Sequence, residues 1–171
     1  MSPSTDRTLA TPSISCVMPA FNEAGTLARL VPQVLEHLQR LSPQVELVIV
    51  NDGSRDASAH VIDSLCQQHP EVVGLDLSRN FGKESALTAG LDAARGDVVV
   101  LMDADGQHPV ALVERMLTLW REGHDVVYAV RRTREDQSPL HAGLTSVFYR
   151  LLNWGSRVEI PPHAGDFRLM D

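Results

Sequence analysis

Hydrophobic positions along the chain alternate between two periods. Short runs rich in β-branched residues occur at Ile14 to Met18, Val45 to Val50, Val72 to Leu77, Val98 to Met102 and Val126 to Val130. Each is bounded by Pro, Asn, Gly or Asp, the pattern of strands. Between them the spacing becomes helical. Leu27, Leu30, Val31, Val34, Leu35 and Leu38 form one apolar stripe; Val110, Val113, Met116, Leu117 and Trp120 form another. A third helix is expected over about 138–154, burying Leu140, Leu144, Val147, Phe148 and Leu151. Alternation of this kind predicts an α/β fold, with a mostly parallel central sheet and helices on both faces. Ligands of such sheets lie beyond the carboxyl ends of the strands, so the residues that end each run carry the functional question.

Those ends are polar. The first run is followed by Pro19-Ala20-Phe21-Asn22-Glu23, the second by Asn51-Asp52-Gly53-Ser54 and the fourth by Asp103-Ala104-Asp105-Gly106-Gln107. Aspartate is also favoured as a helix cap, which would account for Asp52 or Asp105 singly. Carboxylates or amides from three strands on one rim favour a ligand site. In an extended segment, residues two apart point the same way, so Asp103 and Asp105 can face one ion. A hard oxygen donor set with open positions suits Mg2+ or Mn2+ bridging a diphosphate. Gln107, His108 and Pro109 follow, where a new helix is expected to start. No GxGxxG follows the first run, and neither GxxxxGK[ST] nor GxSxG occurs. Dinucleotide oxidoreductases, P-loop nucleotidases and α/β-hydrolases therefore fit poorly.

The totals narrow the field further. A chain of 171 residues suits one domain, read here as residues 13–171 behind a polar, disordered lead-in over 1–12. A net charge of -7 argues against a nucleic-acid partner. Cys16 and Cys66 lie far apart and form no CxxC pair, which suits a reducing compartment. The N-terminus has no signal-peptide pattern, and the apolar runs are far shorter than the roughly 20 residues that cross a bilayer. The chain breaks off at FRLMD without a cap or polar tail, as a piece of a longer protein would.

With PAFNE, VIVNDGS and DADGQHP in that order, the chain resembles family 2 glycosyltransferases of the Rossmann-like GT-A fold. SRNFGKESALTAGLDAARGDVVVLMDADGQHP is similar to that family's long central block. VYAVRRTR, LTSVFYRLLN and HAGDFRLMD resemble its polyprenyl-phosphate glycosyltransferase branch, most of all the bactoprenol glucosyltransferase type. The resemblance covers Ile14 to Asp171.

It implies an inverting transfer from a nucleotide-sugar, UDP-sugar favoured, to a polyprenyl (undecaprenyl) phosphate. Pro19, Phe21 and Glu23 should line the nucleotide pocket, with Asp52 hydrogen-bonding the base and Lys83 nearby. Asp103 should approach the ribose or metal, while Asp105 and Gln107 hold Mg2+ or Mn2+ on the diphosphate. Arg131 and Arg132 should contact the donor phosphates. Asp166 and Arg168 match the acceptor motif, the Asp as a proposed base and the Arg on phosphate. Longer members continue into membrane helices, so the missing part should follow Asp171 and hold the protein at the cytoplasmic face of the plasma membrane. A homo-oligomer is compatible with this reading. The alternatives are a family member with a saccharide acceptor and a non-catalytic nucleotide-binding module.

The Arg131-Arg132-Thr133-Arg134 run also reads as a solvated loop. No metal spacing links the seven histidines, although His108 could touch the site through its motif.

Overall fold

All five expected strands form in the computed structural model, which describes Arg7, residues 11–130 and residues 164–171. They are β1 (Ile14–Ala20), β2 (Val45–Asn51), β3 (Val72–Asp76), β4 (Val98–Leu101) and β5 (Val126–Val130). The two apolar stripes become α1 (Ala24–Leu41) and α4 (Leu112–Arg121). The remaining alternation supplies α2 (Ser58–Gln68) and α3 (Lys83–Ala93). Helix α4 starts three residues later than expected, because Pro109 and Val110 form turns that accept from the N–H groups of Leu112 and Val113. The helix expected over about 138–154 lies outside the described residues.

A sixth strand, β6 (Ala164–Met170), was not anticipated from the hydrophobic pattern. Its period is two: Phe167 and Leu169 are buried in the larger core, while Met170 packs against the smaller one on the opposite face. The sheet order is β3-β2-β1-β4-β6-β5. Strands β1 to β4 pair in parallel, and β6 runs antiparallel between β4 and β5. The sheet is therefore mostly parallel, with one reversed strand inserted.

Burial follows position in the sheet. In β1 every residue but Pro19 is buried, as a strand covered on both faces requires. At the edges Val73, Val126 and Tyr128 are exposed. The larger core joins Cys16 and Met18 to Leu27, Val31 and Leu38 of α1, Ile62 of α2 and Trp120 of α4. The smaller joins Val17, Val48, Val50 and Leu101 to Ala86 and Leu87 of α3. Helix α3 lies close because of Gly90: a Cβ there would stand 2.3 Å from Val17 Cγ1.

The chain runs from β1 outward through β2 and β3, then crosses back to β4 on the other side of β1. Strand order reverses at the β1–β4 boundary, where open α/β sheets form a crevice at their carboxyl ends. At the opposite end, Arg7 reaches Asp125 and Asp171 at 3.0 and 2.5 Å and lies 5.2 Å over the Trp120 ring. Part of the expected lead-in is thus tied to the sheet. No helix among the described residues is long and apolar enough to cross a membrane.

Candidate active site

The loops after β1, β2 and β3 are fastened to one another before any ligand is considered. Asn22 adopts a left-handed backbone, φ 57°, which Asn tolerates better than most residues. Its Oδ1 accepts from the Arg55 N–H at 2.8 Å, and its own N–H donates to Ser54 Oγ at 3.0 Å. The Glu23 N–H donates to Ser58 Oγ at 2.9 Å. Asn51, buried at the end of β2, accepts from the Ser54 N–H and donates to Asp76 at the end of β3.

Asp52 fastens the second loop to the third. Its Oδ1 accepts from the Phe81 N–H at 2.8 Å and its Oδ2 from the Gly82 N–H at 3.0 Å. Only 3% of Asp52 is exposed, so both oxygens gain partners where water is scarce. Asp52 does not cap the α2 that follows it in sequence; its partners, about thirty residues away, are the loop N–H of Phe81 and that of Gly82, the residue before α3. Asp105 does not cap a helix either: its Oδ1 accepts from the Gln107 N–H at 2.9 Å, closing a turn after β4.

A cavity of about 320 Å3 opens beyond the carboxyl ends of β1 and β4, within the size range of small-molecule sites. Pro19, Phe21 and Glu23 line it from the first loop, and Asp52 from the second. Lys83 closes it from α3, with Asp103 and Asp105 from the end of β4. The six residues expected around the nucleotide and Asp105, expected at the metal, thus share one cavity. Phe21 presents its ring there, 42% exposed.

Asp103 is held from two sides. Its Oδ1 pairs with Lys83 Nζ at 2.6 Å, and its Oδ2 lies 3.3 Å from His108 Nε2. The His108 hydrogen bond is the main reason its carboxyl sits well below the usual range, at about 2. Partial burial pulls the other way, and the Lys83 ammonium adds to the lowering. The His108 ring stacks on Phe167 of β6, centroids 4.9 Å apart. Cys16 takes no part: burial pushes its thiol up to about 12, which leaves it inert.

Among the described residues, no three His, Cys, Asp or Glu side chains gather as a metal cage. What the rim offers is the pair Asp103 and Asp105. Two hard carboxylates fit Mg2+ or Mn2+, which keep several waters and share phosphate oxygens of a ligand. They do not fit a closed nitrogen–sulfur site.

Of the other expected residues with described side chains, Gln107 and Arg168 do not line the cavity. The Gln107 backbone N–H donates to Asp105 Oδ1. Arg168 lies on β6 opposite Leu101 and Tyr128, and its Nε is buried with no hydrogen-bond partner among the described residues. Asp166 is on β6, where pairing with β5 is irregular: Ala129 alone separates Tyr128 from Val130, against three residues between Arg168 and Ala164. Bulges of this kind re-aim the chain beside functional sites. Arg131 and Arg132 lie outside the described residues.

Asn80 and Gly82, which also line the cavity, had not been singled out. Their signal was available. They follow the third strand run and precede a helix, the same context that marked the other three loops.

The sequence matches Glycosyl transferase family 2 over residues 15–165. The bactoprenol glucosyl transferase of Shigella phage SfV is 42% identical over 158 residues, which is 92% of this chain and 51% of that protein. The chain spans about half the length of such relatives. Glucosyl-3-phosphoglycerate synthase from Mycobacterium tuberculosis, solved with uridine-diphosphate, superposes with a TM-score of 0.68 at 20% identity, over 97% of this chain and 59% of that one. Mannosyltransferase PcManGT from Pyrobaculum calidifontis, solved with GDP-Man and Mn2+, gives 0.62 at 20% identity, over 97% and 46%.

Proposed function

The chain belongs to glycosyl transferase family 2 and has the GT-A fold, and we propose that it moves a hexose from a UDP-sugar to a polyprenyl phosphate with inversion at the anomeric carbon. The observation that carries this reading is the cavity at the β1–β4 reversal, where an exposed aromatic ring and the Asp103–Asp105 pair share one rim. The names of its relatives support the acceptor.

The parts divide the work. Phe21 offers a face on which a base can stack, with Pro19 and Glu23 beside it. Asp52 has two acceptor positions in use, and a carboxylate has about four, so it can still take a base N–H. Asp103 serves the ribose side or the metal. Asp105, with Asp103 and Gln107, would hold Mg2+ or Mn2+ against the diphosphate. Negative charge developing on the departing nucleoside diphosphate would be stabilised by such an ion.

On the acceptor side, a phosphate monoester has a second pKa of about 6 and is mostly dianionic at neutral pH. It needs no base to become nucleophilic. Asp166 then orients the acceptor or Arg168, and the Arg168 guanidinium, whose buried Nε has no hydrogen-bond partner among the described residues, suits phosphate. Arg131 and Arg132 are assigned to the donor phosphates on the resemblance alone. The whole protein would act at the cytoplasmic face of the membrane, where its acceptor lies.

The test is transfer of labelled sugar from UDP-glucose or GDP-mannose to undecaprenyl phosphate, with oligosaccharides as competing acceptors. Lipid-linked product of inverted anomeric configuration by NMR supports the proposal. Product on the saccharide alone moves the chain to another branch of the family, and UDP binding without turnover marks a binding module.

A further inference from the structure

We infer that His108 is a positioning residue of the donor site, holding Asp103 through Nε2 while its ring is anchored on Phe167 of β6; the inference deepens the proposed function and rests on it. Asp103 lies at the end of β4 and is gripped from two other places, by Lys83 at the start of α3 and by His108 on the loop before α4. Lys83 takes one carboxylate oxygen and His108 the other. An ionised carboxylate can only accept, so Nε2 must carry the hydrogen, and the tautomer of His108 is fixed by its partner. The imidazole is only 10% exposed, which leaves little room for water to substitute for it.

The stack gives this hold a second end. Phe167 is 1% exposed and stands in the chain between Asp166 and Arg168, the two residues assigned to the acceptor. His108 therefore joins the donor-side carboxylate to the acceptor-side strand, with rings 4.9 Å apart and inclined by 29°. A histidine that merely filled the core could be replaced by an apolar side chain of similar size. A positioning histidine needs its N–H.

Two measurements on the intact protein separate these roles. In the ligand-free state, long-range nitrogen–proton NMR should show His108 as the Nε2–H tautomer; the Nδ1–H tautomer would overturn the inference. His108→Leu keeps bulk against Phe167 and should weaken UDP binding in Mn2+ about tenfold, whereas His108→Gln keeps an N–H near the Nε2 position and should stay within about twofold of wild type. Undiminished binding by the Leu variant overturns the inference, as do equal losses in both variants with equally lowered melting temperatures. Wild-type protein that binds no UDP would sink the proposed function instead, and the tautomer would still decide the hold on Asp103.

Discussion

Gly53 and Asn80 meet backbone to backbone: a Cβ on Gly53 would stand 2.5 Å from the Asn80 nitrogen and 2.4 Å from the Arg79 carbonyl carbon. Gly53 also has φ +62°, in the left-handed region. Gly53→Ala should therefore cost about 2–4 kcal/mol, since strain and a clash with rigid backbone act together. Denaturant unfolding measures this, and wild-type stability would show that the two loops do not touch in solution.

Asp52→Asn leaves one carbonyl oxygen and turns an NH2 toward a backbone N–H. Leaving one donor unsatisfied costs about 1–3 kcal/mol. Amide hydrogen exchange at Phe81 and Gly82 should accelerate while α1 stays protected. Unchanged exchange at both amides would contradict the two hydrogen bonds of Asp52.

Asp103 gives the protein a defined acid response. Its carboxyl is lowered from an ordinary 3.8 to about 2, so its contribution is fully present above 3.8 and is lost as pH falls through 2. Asp103→Asn has no such titration. The stability gap between wild type and this variant should narrow steadily across that window in urea melts. A constant gap would remove the hold of His108 and Lys83.

Asp105→Ala should nearly abolish turnover, because a carboxylate suited to the ion on the diphosphate is lost. Asp166→Asn should cause only a modest loss with a phosphate acceptor, which needs no deprotonation. Steady-state transfer assays compare them, and equal, complete losses would restore Asp166 as a base.

Phe21→Ala should weaken UDP binding by roughly 10–100-fold, since stacking of a base on an aromatic ring contributes about 1–3 kcal/mol. The ring is already exposed, so folding should be barely affected. Calorimetry with melting curves checks both. Undiminished affinity would place the base elsewhere.

The periods of hydrophobicity in the sequence determined where β1 to β5, α1 and α4 lie, because burial on one or two faces leaves a local signature at every such element. They also marked the rim, since Asp52, Asp103 and Asp105 each end an apolar run. Strand β6 escaped notice because Phe167 and Leu169 give only two apolar positions on its core face, too short a pattern to separate from a loop motif. Only the tertiary structure decided that β4 lies beside β1 and that β6 is inserted in reverse. The same applies to Asp52, which holds the loop before α3 across about thirty residues, and to Lys83 and His108, which divide one carboxylate. An apolar run is equally satisfied beside any other apolar run, so hydrophobic burial selects the elements without selecting their neighbours. Partners distant in sequence are chosen by the whole packed sheet.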